Sequence, residues 1–180
     1  MNRCALVFGV SGVGKTHACA DYAARHPDTL FVSASSLLKA ATAESSEALR
    51  TASPAKIRNN QSRLADALAA FRAGREALPI LIDAHGVIDN DSKFVRIPLS
   101  AIRSLSPDRL ILLEAAPALV AERRATDARP RPQRPIEAIV REIAAERDAV
   151  KSYARALDLD LAIAEVVPGF RLDTLLEGPC

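Results

Sequence analysis

The sequence has few cysteines and no long apolar run. Its three cysteines, Cys4, Cys19 and Cys180, are scattered without a CxxC spacing, which predicts free thiols in a reducing compartment rather than a disulfide framework or a zinc site. No apolar run approaches the roughly 20 residues that span a bilayer. No charged leader with a small-residue cleavage site precedes the first apolar run. We therefore expect a cytoplasmic protein that does not associate with membranes.

The chain also lacks a large excess of charge of either sign. Its 24 Lys and Arg against 22 Asp and Glu leave a net charge of +2, which gives no strong indication of nucleic-acid binding. The positive charge is instead local. The segment from Arg123 to Arg134 contains five arginines and one aspartate, a net charge of +4. Such a segment predicts a local anionic ligand.

Short apolar runs alternate with longer segments of helical period over the 180 residues, a length that fits one domain, 1–180. Apolar runs without alternation predict strands buried on both faces, as in a parallel sheet covered by helices. The repeated strand–helix–strand order therefore predicts an α/β fold with right-handed crossovers. The five runs are Cys4–Phe8, Thr29–Val32, Pro79–Ile82, Leu110–Leu113 and Leu161–Val167.

Two segments do not fit simple crossovers. Ser33–Phe71 is too long for one and is expected to contain two helices, the second beginning at Ser53-Pro54, which is typical of an N-cap and first helical position. Arg123–Pro135 is rich in arginine and proline, and its prolines exclude a continuous helix.

A glycine-rich loop, Gly9–Thr16, matches GxxxxGK[ST] at every fixed position and lies between the first predicted strand and a helical stretch. In such a loop the backbone N–H groups converge on phosphates, Lys15 reaches the β- and γ-phosphates, and the Thr16 hydroxyl reaches Mg²⁺. We expect Lys15 to lie in a solvent-facing loop. The predicted ATP-binding residues are Gly12, Val13, Gly14, Lys15, Thr16 and His17, with His17 on the helix surface.

Acidic residues end two of the predicted strands. Asp83 ends the third run, where it is expected at the ligand edge of the sheet as a second Mg²⁺ ligand beside Thr16; the alternative is a turn-forming aspartate. His85, two residues on, is a candidate for orienting water, contacting a phosphate or capping the turn. Glu114 ends the fourth run and is the weaker candidate, with a structural role favoured.

Arginines follow in the last third of the chain. Arg123, Arg124, Arg129 and Arg131 form a cluster that can neutralise a transferring phosphoryl group, or else a solvated basic loop or a proline-rich ligand for a partner domain. In the next predicted helix, Ile136, Val140, Ile143, Val150 and Leu157 suggest an apolar stripe. Arg147 falls on that stripe, where phosphate contact and snorkelling to solvent are both open.

From Leu6 to about Ala164 the chain resembles the archaeal-type adenylate kinases and the related adenylate-kinase-like ATPases of ribosome assembly. The match is most specific in the Asp-x-His block and in the arginine spacing that follows it. Four blocks carry the resemblance: Gly9–Thr16; Leu49-Arg50 with Ser53-Pro54; Ile82–Gly86; and Leu113-Glu114 followed by Arg123, Arg124, Asp127, Arg129, Arg131, Arg147 and Tyr153.

The resemblance implies a three-layer P-loop NTPase fold with a five-stranded parallel sheet in the order 2-3-1-4-5. It makes residues 33–73 the monophosphate-binding region and residues 123–135 a short lid. It also assigns Ser35, Arg50 and His85 to the monophosphate. The catalytic residues it implies are Lys15, Asp83, Arg123, Arg129, Arg131 and Arg147.

The function implied is that of an Mg²⁺-dependent nucleoside monophosphate kinase, with ATP and AMP as the favoured substrates and two ADP as products. The alternative is a slow ATPase that acts as a nucleotide-dependent switch on a protein or ribonucleoprotein partner. The sequence is compatible with a homo-oligomer or with a protein partner.

Overall fold

A computed structural model describes residues 4–127 and 133–176 of the chain. Five of its strands form one parallel sheet in the order β2-β3-β1-β6-β7. Counted by themselves these five strands have the expected order 2-3-1-4-5, and β4 and β5 form a separate antiparallel hairpin that the sequence analysis missed. The strands are β1 (Cys4–Phe8), β2 (Leu30–Ser33), β3 (Ile80–Asp83), β4 (Val87–Asp89), β5 (Phe94–Arg96), β6 (Arg109–Glu114) and β7 (Leu161–Glu165).

Helices cover both faces of the sheet, which accounts for the unbroken apolar runs. On one face Leu6 and Phe8 pack under α2–α6 and the C-terminal half of α8, and on the other Val7 packs against α1 and α7. The helices are α1 (Lys15–Arg25), α2 (Ala34–Thr42), α3 (Ser46–Thr51), α4 (Pro54–Gln61), α5 (Leu64–Arg72), α6 (Leu99–Ser104), α7 (Pro117–Thr126), α8 (Ile136–Leu157) and α9 (Asp173–Leu176).

The segment between β2 and β3 contains four helices, so the expectation of two was wrong. Ser33, Ser45 and Ser53 each accept a hydrogen bond from a backbone N–H three residues on, and each caps the start of a new helix. Pro54 follows at the first helical position, as predicted. Because the serine side chains satisfy N–H groups that a helix leaves unpaired, the chain can stop and restart its helices within a few residues.

The predicted apolar stripe of helix α8 is exposed at its N-terminal end and buried only further along, at Val150. Ile136 and Val140 are 50% and 47% exposed, whereas Glu146 and Tyr153 are both 1% exposed. Polar anchors set the rotation of the helix: the Tyr153 hydroxyl lies 2.5 Å from the Ile97 carbonyl oxygen, and Glu146 accepts backbone N–H groups from the sheet edge. The prediction that Arg147 lies on a buried stripe was therefore wrong, since Glu146 holds the buried position beside it.

None of the helices in the described ranges 4–127 and 133–176 is long and apolar enough to cross a membrane.

Candidate active site

The loop Gly9–Thr16 has the curled backbone that its glycines predict. Gly9, Gly12 and Gly14 have φ values of 144°, 86° and 109°, which side chains other than glycine rarely adopt. A Cβ at Gly9 would collide with the carbonyl oxygen of Leu113, and one at Gly12 would lie 3.0 Å from the Arg124 Cγ. The turn therefore depends on glycine for conformation and for space.

Lys15 is buried against the glycine-rich loop, so the expectation that it lies in a solvent-facing loop was wrong. The residue is 4% exposed, and its ammonium donates to the carbonyl oxygens of Gly9 and Val10 at 2.5 and 3.2 Å. Its Nζ is also 3.7 Å from Asp83 Oδ1. The side chain folds back because it starts at the first turn of α1, directly beneath these carbonyl groups.

Thr16 and Asp83, the two predicted Mg²⁺ ligands, lie side by side. The Thr16 hydroxyl donates to Asp83 Oδ2 at 2.5 Å, and Asp83 ends β3 at the edge of the sheet that faces the loop. A hydroxyl and a carboxylate are the hard oxygen donors that suit Mg²⁺. Among the described residues no group of three His, Cys, Asp or Glu could hold a metal ion, so Mg²⁺ would take its remaining ligands from the nucleotide and water.

Two arginines at the end of α7 hold the loop from outside. The Arg123 Nη1 donates to the carbonyl oxygen of Val13 at 2.6 Å, and the Arg124 Nε donates to that of Ser11 at 2.9 Å. The Arg124 Nη2 also donates to both carboxylate oxygens of Glu142, in a pair that is nearly inaccessible to solvent. Burial raises the pKa of Glu142, and the Arg124 charge opposes that rise.

The other two lid arginines, Arg129 and Arg131, lie outside the described residues. Their predicted catalytic role stays a prediction. Of the lid, residues 123–135, the described part places Arg123 on the glycine-rich loop and Arg134 at the mouth of the cavity described below.

Glu146 connects the loop with the turn after β3, and the sequence analysis missed it. Its carboxylate accepts the N–H groups of Gly9, Gly86 and Val87 at 2.8–3.0 Å. Burial raises the pKa of Glu146, and these N–H groups and Lys15 oppose the rise. The spacing of Glu142, Glu146 and Tyr153 follows one helical face and is the sequence pattern that could have identified it.

A cavity of about 250 Å³, here called the acceptor cavity, opens beside the loop at Ser11. It brings together Ser35, Arg50 and His85, the three residues predicted to bind the monophosphate, although they are far apart in sequence. Its walls are mostly apolar and come from α2–α6 and the turns after β3. The apolar lining residues are Ala34, Leu38, Leu49, Ile57, Leu64, Ala84, Val87, Ile88, Ile97, Ile102 and Leu105.

Charged groups at the mouth of this cavity are paired with one another. Arg50 donates to both carboxylate oxygens of Asp91, at 2.7 and 2.9 Å, and also to Glu47. Arg134 donates to Asp89 at 2.9 Å and to the same Asp91. The Arg50 guanidinium, with Arg134, holds the pKa of Asp91 below its usual value. An anion that binds Arg50 must therefore compete with Asp91.

Two predicted site residues lie away from the cavity. His17 is exposed on α1 directly after the loop, as expected. Arg147 is 48% exposed at its side chain and forms a bidentate pair with Glu114 at the end of β6, with distances of 2.7 and 2.6 Å. Arg147 is not among the residues that line the acceptor cavity.

The sequence matches the protein family described as AAA domain over residues 8–159, and the chain belongs to this family. Similar solved structures show the α/β P-loop kinase fold. The Deinococcus radiodurans tunicamycin resistance protein matches with a TM-score of 0.54 and 17% identity, over 90% of this chain and 99% of that one. Shikimate kinase from Bacteroides thetaiotaomicron matches with a TM-score of 0.56 and 15% identity, over 91% and 86%.

A gluconokinase from Sinorhizobium meliloti is similar as well, with a TM-score of 0.53 and 15% identity, over 98% of this chain and 88% of that one. A search of curated proteins found no significant match. At these identities the structural likeness concerns the fold alone. The specific resemblance to archaeal-type adenylate kinases stays a prediction.

Proposed function

We propose that this protein is an ATP-dependent phosphotransferase that acts on a nucleoside monophosphate, with AMP as the acceptor. The observation that carries the proposal is the acceptor cavity, which starts at Ser11 of the glycine-rich loop and contains Arg50 at its mouth. Two of the similar structures named above are kinases by name, shikimate kinase and a gluconokinase. A donor loop that adjoins an acceptor cavity is the arrangement that direct transfer requires.

The chemistry needs no covalent intermediate on the protein. An oxygen of the AMP phosphate attacks the γ-phosphorus of ATP, the bond from that phosphorus to the bridging oxygen breaks, and two ADP molecules form. Lys15 and the loop N–H groups stabilise the negative charge on the donor phosphates. Mg²⁺, held by Thr16 and Asp83 together with the nucleotide, would neutralise further charge on the β- and γ-phosphates.

The paired charges at the cavity mouth determine how the acceptor phosphate enters. Arg50 presents a planar guanidinium that already grips the two oxygens of a carboxylate, and phosphate oxygens fit the same fork. A dianionic phosphate carries more charge than Asp91, so exchange of one for the other favours the phosphate. Arg134 keeps Asp89 and Asp91 partnered when Arg50 is released.

The proposal is tested by a coupled assay with MgATP and one acceptor at a time. AMP, CMP, UMP and GMP are compared with shikimate and gluconate, and inorganic phosphate is measured in parallel. We expect ADP formation that depends on AMP, with little phosphate release and no turnover of the two non-nucleotide acceptors.

Two results would contradict the proposal. A rate of inorganic phosphate release that does not change with any acceptor would favour the switch ATPase. Transfer to shikimate or gluconate alone would keep the kinase chemistry but assign the cavity to a small hydroxylated acceptor.

A further inference from the structure

Two buried amide side chains interrupt the apolar wall of the acceptor cavity. Ile57, Asn60, Gln61 and Leu64 follow one helical face across the end of α4 and the start of α5, and all four line the cavity. Asn60 and Gln61 are 7% and 5% exposed. Amide groups at such depth need hydrogen-bond partners, because an apolar wall offers none.

Asn60 lacks such a partner for one of its atoms. Its Nδ2 is fully buried and has no hydrogen-bond partner within residues 4–127 and 133–176. A buried donor without an acceptor destabilises the folded chain. Because Asn60 lines the cavity, rotation of its amide about the soft χ2 torsion would turn the Nδ2 toward a ligand acceptor and relieve that cost. The unpaired donor therefore indicates that the cavity takes a ligand with an acceptor atom at its inner end.

The charges of the cavity give the ligand a direction. Arg50 lies at the mouth, where it is partly exposed, and suits the phosphate end of an acceptor. Asn60 is buried among apolar residues, which suit the flat, weakly polar faces of a nucleobase. Phosphate at the mouth and base at the inner wall is therefore the orientation that matches both ends.

An asparagine amide presents a donor and an acceptor side by side. Adenine presents the complementary pair, a ring nitrogen that accepts and a neighbouring amino group that donates, and Asn or Gln pairs with it in a bidentate manner. The unpaired Asn60 Nδ2 would donate to the ring nitrogen, while the Oδ1 of the same amide would accept the amino group.

We propose that Asn60 reads the base of the acceptor nucleotide and selects adenine. This inference rests on the proposed function, since it assigns the base-reading residue of the same cavity. Asn60 is a specificity residue that contacts the base and takes no part in the transfer step.

The chain offers a matched control, because the neighbouring Asn59 is exposed on α4. Asn60→Leu removes the amide with little change in volume, and Asn59→Leu makes the same change on the surface. We expect Asn60→Leu to lower kcat/KM for AMP about 10- to 100-fold, mainly through KM, because the site was built to hydrogen-bond its substrate. We expect Asn59→Leu to leave it unchanged.

Stability separates base reading from a structural role. Because the Nδ2 has no hydrogen-bond partner in the described ranges, Asn60→Leu should leave the melting temperature unchanged or raise it. A lower melting temperature with unchanged AMP kinetics would show that the amide is structural, and it would overturn the inference.

Asn60→Asp provides the second variant, because a carboxylate only accepts hydrogen bonds. It should repel the adenine ring nitrogen and favour guanine, whose ring N–H and amino group both donate. We expect the ratio of kcat/KM for GMP over AMP to rise at least 10-fold. An unchanged ratio in a folded variant would contradict base reading at this position.

Calorimetric binding of AMP without ATP distinguishes failure of this inference from failure of the proposed function. If the wild-type protein binds AMP, and Asn60→Leu weakens this binding while Asn59→Leu does not, base reading is supported even if no ADP forms. If the wild-type protein makes ADP from AMP and both variants do so with equal efficiency, base reading alone is overturned. Wild-type protein that binds no nucleoside monophosphate overturns both.

Discussion

The glycine-rich loop and the acceptor cavity lie side by side but hold their polar groups differently. In the loop, Lys15 and the carbonyl groups of Gly9 and Val10 satisfy each other within one short stretch of chain. In the cavity, the polar groups come from several separate elements, and the Asn60 Nδ2 has no partner among the described residues. In the proposed function, phosphate binding would thus use continuous backbone, whereas acceptor recognition would use side chains that are distant in sequence.

The two regions also differ in how firmly they are held. Glu146 fixes Gly9 to the turn at Gly86, and Arg124 fixes Ser11 to the buried Glu142. The cavity mouth is held by partly exposed pairs between Arg50 and Asp91 and between Arg134 and Asp89. Exposed pairs are individually weak and exchange readily, which suits the entry of the charged acceptor that we propose.

Lys15→Ala should give the largest effect, because it removes the only side-chain cation of the glycine-rich loop. We expect kcat to fall by at least about 10³-fold, the size of losing a donor aimed at transition-state charge. Lys39→Ala on the exposed surface of α2 is the control, and turnover of both variants is compared by the ADP assay. Near wild-type turnover of Lys15→Ala would remove the loop from the mechanism.

Arg50→Ala should affect only the acceptor. A lost charge-assisted hydrogen bond to phosphate costs about 1.5–3 kcal/mol, which predicts an increase in the KM for AMP of about 10- to 150-fold. The KM for ATP should change less than about two-fold, since ATP phosphates lie on the loop. Arg58→Ala, an exposed arginine on α4, is the matched control, and equal weakening of both substrates would show that Arg50 does not separate the two sites.

Asp91→Asn should produce a smaller effect in the opposite direction. Because Asp91 competes with the acceptor phosphate for Arg50, removing its charge should lower the KM for AMP by roughly three- to ten-fold, equivalent to about 1 kcal/mol for an exposed pair. The KM for AMP is measured by steady-state kinetics at constant ionic strength. A higher KM would show that Asp91 positions Arg50 for the acceptor.

The pH dependence gives a check on the same pair. Arg50 and Arg134 lower the pKa of Asp91 in the folded protein, so its carboxylate stabilises the fold above its unfolded pKa and loses that contribution only as pH falls through the lower, folded pKa. Acidification from pH 7 to pH 5 should therefore not reproduce the effect of Asp91→Asn on the KM for AMP.

Arg147→Ala should have the smallest effect. The side chain is half exposed and pairs with Glu114 outside the acceptor cavity, so we expect less than about a two-fold change in kcat and under about 1 kcal/mol in stability. Turnover and the free energy of unfolding are measured together. A large fall in kcat with unchanged stability would show that Arg147 reaches the reacting phosphates, as the family resemblance implies.

The loop and the sheet could be predicted because their causes are local. Five apolar runs predicted the five strands of the parallel sheet, and the fixed glycines together with Lys15 and Thr16 predicted the phosphate loop. The expectation that Asp83 lies beside Thr16 also followed from strand order alone, since the carboxyl ends of parallel strands meet at one edge.

The rest depended on tertiary contacts that periodicity does not contain. Glu146 faces the sheet because three backbone N–H groups donate hydrogen bonds to its carboxylate. An acidic residue therefore occupies the buried position that the apolar stripe predicted for Arg147. Asn60 lies between Ile57 and Leu64 on a helical face that lines the cavity, and no sequence motif marks it. The hairpin β4–β5 was not predicted because its turn is closed by a side chain: Asn90 accepts hydrogen bonds from the N–H groups of Ser92 and Lys93.

In the function proposed above, the two regions act on one phosphoryl group, which passes from ATP on the loop to a nucleoside monophosphate in the cavity. The most direct measurement uses ATP labelled with ³²P at its γ-phosphate and determines where the label goes, with and without AMP. We predict that the label appears at the β-phosphate of ADP, in proportion to the AMP supplied, and that Arg50→Ala suppresses this transfer at low AMP. Label that appears only as inorganic phosphate, at a rate that AMP does not change, would contradict the account.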